Sequence, residues 1–324
     1  MNMLKSSHLI SSHLISSYNY VLLKDLARKL KNKIKFKVKA KIKKYSASFR
    51  LLFGLPLKKK LDKIQFEIHL AEHCNLNCAG CNHFSPLAKN ELVDVQEFKR
   101  DIERMGILFK HDCKRIFLLG GEPLLHPEII NLMKIARDNF PNTDIYIYTN
   151  GILLPAQSEN FWRGCHDNNI NLMISRYPIK LDTEKIKNMA ERFKIKIFWS
   201  SAPDGALNDS SFIVSPIDLN GNGNIKKSFA NCYESNSCIT LSHGKLYTCV
   251  FAAHVHHFNE KFGLNILITK DDYINIYKET DGNEILKKLN NPIPACKYCS
   301  GGRFSKSSRK IKWHHSEYNI NEYL

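Results

Sequence analysis

Residues 64–84 read IQFEIHLAEHCNLNCAGCNHF. IQFEIHL reads as a strand, and it runs directly into a loop with three cysteines, Cys74, Cys78 and Cys81, spaced C-x3-C-x2-C. Ten cysteines in 324 residues are too sparse for a small disulfide scaffold. Tight local spacing of that kind points to metal or cluster ligation. Two chemistries compete for the triplet. A structural zinc site is closed by four ligands, and His73 or His83 would have to supply the fourth. An iron–sulfur cluster held by three thiolates leaves one iron without a protein ligand, open to a substrate or cofactor. The loop follows the first strand of a strand–helix series, where catalytic loops belong, and that placement favours the cluster.

That series continues along the chain. Asp94 to Glu97 resembles a capping box, and Val95, Phe98, Ile102 and Met105 follow at helical spacing. RIFLLGG (115–121) is a short apolar strand ending in glycines. Pro127 stands near a helix start ahead of Ile129, Leu132, Met133 and Ala136. DIYIYTNG (144–151), INLMISRY (170–177) and KIKIFWS (194–200) read as further strands, with Thr183 as the cap of the helix between the last two. Alternation of this type predicts a parallel sheet or barrel covered by helices. Its active site lies at the carboxyl ends of the strands. The cysteine loop, GGEP (120–123) and TNG (149–151) all fall there.

Three motifs in this order resemble the radical S-adenosylmethionine (SAM) superfamily. The fuller wording, CNLNCAGCNHFSPLA, LLGGEPLLHP, FPNTDIYIYTNGILL and ISRYP, resembles a bacterial subgroup found among surface-polysaccharide genes. The resemblance implies an α/β fold, a partial (β/α)6 barrel. In it Cys74, Cys78 and Cys81 hold a 4Fe-4S cluster whose fourth iron is chelated by SAM. It also implies cofactor contacts from Gly120, Gly121, Glu122 and Pro123, with Glu122 accepting from the SAM ammonium, and from Ser175 and Arg176 at the end of the fourth strand. Thr149 and Asn150 either shape their turn or share in the site. Many members carry an aromatic residue just before the last cysteine, packed on the adenine. Gly80 stands there instead, and His83 or Phe84 would have to replace that contact.

Five more cysteines lie downstream, Cys232, Cys238, Cys249, Cys296 and Cys299. Cys296 and Cys299 form C-x2-C, a compact chelate, and SHGKLYTC (242–249) reads as a hairpin turning at Gly244. The region resembles the SPASM or twitch extensions of radical SAM enzymes, which hold auxiliary 4Fe-4S clusters. Five candidates for four positions leave Cys232 or Cys238 idle, and a zinc knot is the alternative occupant. Cys113 and Cys165 read as core thiols. His254, His256 and His257 read as part of a solvated loop, with base or ligand as the functional alternative.

The net charge of +17 is unevenly placed. Residues 24–60 hold 15 Lys and Arg against one acid, Asp25, while residues 61–324 hold 32 against 30. The basicity therefore belongs to an arm, 1–60, and says little about the ligand of the core, 61–225, or of the cysteine-rich extension, 226–324. Within the arm, residues 31–44 alternate Lys with apolar side chains, and SSHLISSHLI (6–15) is a five-residue motif written twice. The plain reading is a mobile, solvated arm. The functional reading is an anionic membrane surface, ahead of nucleic acid. No apolar run is long enough for a membrane span, and no clean signal-peptide core is present. A cytosolic protein, peripheral to a membrane if the arm binds one, is the expectation.

The function expected is a radical SAM enzyme that oxidises or epimerises a sugar-like or glycan-precursor substrate, with flavodoxin or ferredoxin as electron donor. Peptide or RNA modification is the nearest alternative. A zinc-stabilised protein binding nucleic acid or membrane is the alternative from another class. No catalytic acid or base is identifiable.

Overall fold

The computed structural model describes residues 61–200, 211–232, 234–299 and 308–324. The basic arm, with its proposed membrane surface, lies outside the described residues. From Leu61 on, they belong to one unit, Lys60–Leu324.

Five strand–helix steps build the first half: β1 (Gln65–Ala71), α1 (Val95–Leu108), β2 (Arg115–Gly120), α2 (Ile129–Asn139), β3 (Asp144–Thr149), α3 (Glu159–Asp167), β4 (Ile170–Ser175), α4 (Thr183–Arg192) and β5 (Ile197–Ser200). The α1 cap is the one the sequence predicts, with Asp94 accepting from the Glu97 N–H at 2.8 Å. At α4 the cap is one residue earlier than expected. Asp182, not Thr183, accepts from the Lys185 N–H, at 2.9 Å. Asp is the better cap here because its side chain carries charge toward the positive end of the helix.

The second half adds β6 (Ser211–Val214), α5 (Ile225–Ala230), β7 (Thr240–Ser242), β8 (Lys245–Tyr247), α6 (Val250–Phe262), β9 (Tyr273–Asn275), α7 (Gly282–Leu289) and β10 (Arg309–Lys312). The main sheet has eight strands in the order β5-β4-β3-β2-β1-β7-β8-β9. Strands β1 to β5 run parallel, β7 joins β1 in parallel, and β8 and β9 add antiparallel pairs. The expected α/β class is thus found, as an open, mostly parallel sheet whose sixth parallel strand sits on the β1 side, away from β5. The β7–β8 hairpin turns at His243 and Gly244, both at positive φ (49° and 68°), the backbone that a two-residue hairpin turn requires. Its register is locked to α1, because the Gly244 N–H donates to the buried Asp101 at 2.7 Å.

The sheet's two faces differ. Phe66, Ile68 and Leu70 of β1, with Ile116, Leu118 and Ile147, point to the helices and meet Phe98, Met133 and Trp162 in the main core. Each such side chain contributes about 1.5–3 kcal/mol of burial. The same core takes in Ile239, Leu241 and Leu246, so the cysteine-rich half shares it. Cys113 and Cys165 are core thiols as expected, 3% and 0% exposed. The opposite face carries a run of aromatic rings, Phe117 on Tyr146 at 5.5 Å and Tyr146 on Phe198 at 5.7 Å. Phe198 is 41% exposed, so this face opens at its β5 edge, while Tyr146, His69 and Glu67 toward its middle are buried.

At the carboxyl end of the sheet, the exits of β1 and β2 touch. A Cβ on Gly120 would lie 2.2 Å from the Ala71 carbonyl oxygen, and one on Gly121 would lie 2.1 Å from that of His73. Gly120 also sits at φ +135°, which side-chain-bearing residues avoid. The glycines are required by the neighbouring strand, whatever they offer a ligand. Gly121→Ala is expected to cost about 2–4 kcal/mol of unfolding free energy, as overpacking against rigid backbone. Chemical denaturation measures it, and a loss under about 0.5 kcal/mol, the range of ordinary surface changes, would contradict the close approach.

Candidate metal and cofactor site

The strand exits position the cysteine loop. Cys74, Cys78 and Cys81 are partly buried, and their thiols lie near one another. Burial, then the proximity of Cys81, pushes the Cys78 thiol up to about 12. Burial likewise raises Cys74, to about 11, and raises Cys81. Clustered thiols that resist ionising alone are the expected state of a site that a cation completes, because metal binding supplies the missing positive charge.

The loop is held from the far end of the chain. The Ala79 N–H donates to the His314 carbonyl at 3.0 Å and the Ser316 N–H to the Asn77 carbonyl at 2.8 Å. The Trp313 indole N–H reaches the Cys78 sulfur at 3.1 Å. The phenol of Tyr177, just past β4, lies within hydrogen-bonding reach of the same thiol. Neither residue stands out in the sequence, although Tyr177 sits inside ISRYP. Gly80 is now explained. It has φ +63°, and a Cβ there would lie 2.9 Å from the Glu322 carbonyl oxygen. The C-terminal segment occupies the space an aromatic side chain would need.

Beside the loop, GGEP and TNG meet. Glu122 is fully buried and caps the short turn at Pro123–Leu125, accepting from the Leu124 N–H at 3.1 Å. It also accepts from the Thr149 hydroxyl at 2.6 Å and the Asn150 N–H at 2.9 Å. Burial pushes its carboxyl up to about 7 in spite of these bonds. The Asn150 amide donates to Asn75 at 2.7 Å and lies 3.7 Å from the Cys74 sulfur. Thr149 and Asn150 therefore tie the third strand to the cysteine loop as well as shaping their turn. An approaching ammonium would favour the charged form of Glu122.

The remaining candidates separate. Ser175 pairs with Ser200 at 3.2 Å on the open face, where the Tyr148 hydroxyl also donates to Ser200 at 2.7 Å. Arg176 is exposed, its guanidinium 4.8 Å over the Trp199 ring. Phe84 is 2% exposed and packs with Phe258 and Tyr323 in a smaller core.

Four of the five downstream cysteines come together. Cys232, Cys249, Cys296 and Cys299 line one cavity of about 100 Å³, walled by apolar residues that include Val250, Phe251 and Phe84. Burial, then the nearness of Cys232 and Cys296, pushes the Cys249 thiol well above its usual value. Cys249 also precedes the first turn of α6, whose amide dipoles favour a thiolate. Cys238 is elsewhere. Its thiol donates to the Glu234 carboxylate at 2.6 Å. The four-cysteine cavity fits a four-thiolate group, and Cys238 is the one left over.

One expectation is corrected. His254, His256 and His257 do not form a solvated loop. They lie on α6, which buries His254 (0% exposed) and His257 (3%) and leaves only His256 outside. Their carboxylate partner is Glu72, in the short segment between β1 and Cys74. It accepts from His69 Nδ1 and His257 Nε2 at 3.0 Å each. His83 belongs to this group through a 2.8 Å hydrogen bond to His69. Burial pushes the His254 ring down to about 3 and holds His83 well below its usual value. Among the described residues, no helix is long and apolar enough to cross a membrane.

Comparison with known proteins agrees with the first half of this site. Residues 68–174 match the Radical SAM superfamily. A GTP 3',8-cyclase of Chlorobaculum tepidum is 31% identical over 125 residues, which is 39% of this chain and 36% of the relative. A probable GTP 3',8-cyclase of Thermoplasma volcanium is 30% identical over 104 residues, 32% of this chain and 29% of the relative. The match thus spans about a third of the length of these curated relatives. Among solved structures, BtrN in complex with AdoMet and 2-DOIA aligns over 75% of this chain and 93% of its own, with 17% identity and a TM-score of 0.44. Strand exits, cysteine loop and GGEP turn all fall inside the segment that matches the Radical SAM superfamily, residues 68–174.

Proposed function

We propose that the chain is a two-cluster radical SAM enzyme acting on a hydroxyl-rich, sugar-like substrate. The observation that carries the reading is the meeting of Cys74, Cys78 and Cys81 with the Glu122–Asn150 brace at one end of an open sheet face. When bound there, a 4Fe-4S cluster and SAM supply a 5′-deoxyadenosyl radical able to abstract hydrogen from an unactivated C–H bond. The chain's own residues do the placing. The three thiols ligate, the Trp313 indole donates to Cys78, and Glu122 receives the SAM ammonium. The C-terminal segment and the apolar core around Phe84 and Phe258 exclude water. Arg176 offers a fork for the SAM carboxylate. Cys232, Cys249, Cys296 and Cys299 ligate a second 4Fe-4S cluster, suited to taking an electron from a substrate radical. A small reducing protein such as flavodoxin or ferredoxin delivers electrons.

The substrate class rests on the open face. Tyr148, Ser175 and Ser200 offer linked hydroxyls near the carboxyl ends of the strands. The one cation within β1 to β5 is Arg115, at the amino end of β2. A triphosphate calls for several paired cations, so this lining favours a polyol over a nucleotide such as GTP. The relatives' match also covers only about a third of their length, so their substrate does not carry over.

Two measurements test the reading. With dithionite under anaerobic conditions, the protein is expected to cleave SAM to 5′-deoxyadenosine. Deuterium from one of a panel of ring-deuterated sugars should pass into that product. The Cys74/Cys78/Cys81 triple alanine variant should lose at least about 100-fold in rate. Absence of SAM cleavage would defeat the whole reading, and label passing from GTP alone would defeat the sugar part. Iron analysis addresses the second cluster. About eight irons per chain are expected, falling to about four in Cys249→Ala and staying at about eight in Cys238→Ser. About four irons in the unaltered protein, with a zinc that Cys249→Ala removes, would replace the second cluster with a zinc knot.

A further inference from the structure

α6 brings a second set of ligand-type side chains onto the carboxyl end of β1, distinct from both sets of cysteines. Three ring nitrogens converge on one carboxylate oxygen. His69 Nδ1, His254 Nδ1 and His257 Nε2 each lie 3.0 Å from Glu72 Oε2. Ligand atoms of His69, Glu72 and His254 all lie within 4.8 Å of one another. Hydrogen bonding accounts for only part of this. His69 and His257 donate to the carboxylate, but the approach of His254 has the distance without the angle. Both nitrogens of that ring are buried with no hydrogen-bond partner. Its ring is stacked on His69, centroids 3.7 Å apart and planes 7° from parallel. A buried imidazole whose Nδ1 meets its carboxylate off-angle and whose Nε2 has no partner needs an explanation, and an ion is one that native proteins use.

The remaining geometry suits a metal. In a tetrahedral zinc site with nitrogen and oxygen ligands at about 2.0–2.1 Å, the ligand atoms lie about 3.3–3.4 Å apart. The N···O separations of 3.0 Å need only a slight opening, and one of the two stacked rings has to turn so that its in-plane lone pair meets the metal. His69 is oriented from behind, because with Nδ1 on a metal its Nε2–H donates to His83 Nδ1, 2.8 Å away, and Glu72 is braced by His257. Outer partners of this type fix the tautomer and aim of metal-ligating histidines.

We propose that His69, Glu72 and His254 form a mononuclear site for a divalent transition metal of nitrogen and oxygen preference, zinc above all, with a fourth position open. The donor set excludes sulfur, so the site does not compete with the cysteines for iron–sulfur assembly. His69 lies at the end of β1, on the side of the sheet that carries Glu67, opposite the main core. A metal there grips a substrate hydroxyl or carboxylate as a Lewis acid, and so orients the substrate. This goes beyond the reading of the cysteine sites and does not rest on it.

Zinc analysis of the cluster-loaded holoprotein tests the site. The protein is freed of loose metal with a mild chelator, given zinc, desalted, and analysed for zinc, iron and sulfide together. One zinc per chain is expected. His254→Gln and Glu72→Gln are each expected to retain less than a tenth of it at unchanged iron, and His256→Gln to retain all of it. Zinc is also expected to raise the melting temperature of the unaltered protein but not that of His254→Gln. No zinc in the unaltered holoprotein overturns the proposal even if the variants fail to fold, and so does zinc that survives both substitutions. Because iron and sulfide are counted in the same sample, failure of the clusters and failure of this site are read separately.

Discussion

The carbonyl oxygens of Ala71 and His73 lie where any side chain at Gly120 or Gly121 would have to be. The rest of the site follows from that contact between two strand exits. It sets the cysteine loop, which starts one residue beyond His73, against the GGEP turn. The turn then aims Glu122 at the end of β3, where Thr149 and Asn150 hold it. Asn150 closes the circuit by reaching back to Asn75 in the loop. Three segments far apart in the chain thus converge through backbone contacts and one buried carboxylate. A site on strand exits, with its partners satisfied, is rigid before any cofactor arrives.

The far end of the chain completes what the strand exits begin. Residues 313–316 lie along the cysteine loop, and Gly80 is small because the Glu322 backbone passes over it. The second cysteine cavity borders the same core, since Phe84 belongs to both. α6 links all three groups. Cys249 stands at its start among the four clustered cysteines, His254 and His257 project to Glu72 beside the cysteine loop, and Phe258 packs on Phe84. Motion of one helix would therefore be felt at both cysteine sites.

Local pattern carried much of this in the sequence. The cysteine spacing, the glycine-ended strand and the Asp94 cap are short-range signals, and each falls on the expected element. The unread features are those decided by distant segments. Nothing near Cys238 distinguishes it from Cys232, because the difference is made by Glu234 on one side and the Cys296–Cys299 turn on the other. VFAAHVHHFNEKF looks too polar at His254 and His257 for a buried helix face. Both histidines are buried only because Glu72, some 180 residues earlier, is there to meet them. Trp313 gave no signal at all, since its role depends on the C-terminal segment folding back over Cys78. Strand β7 beside β1 was equally hidden, because a parallel neighbour leaves no mark on short-range periodicity.

The account turns on three thiolates that leave one corner of a cluster to a small molecule. Electron paramagnetic resonance of the dithionite-reduced protein, recorded with and without SAM, tests that corner most directly. The g values of the cluster bound by Cys74, Cys78 and Cys81 are expected to shift when SAM is added, and to be absent from the triple alanine variant. A spectrum indifferent to SAM, or one that survives removal of all three cysteines, would contradict it.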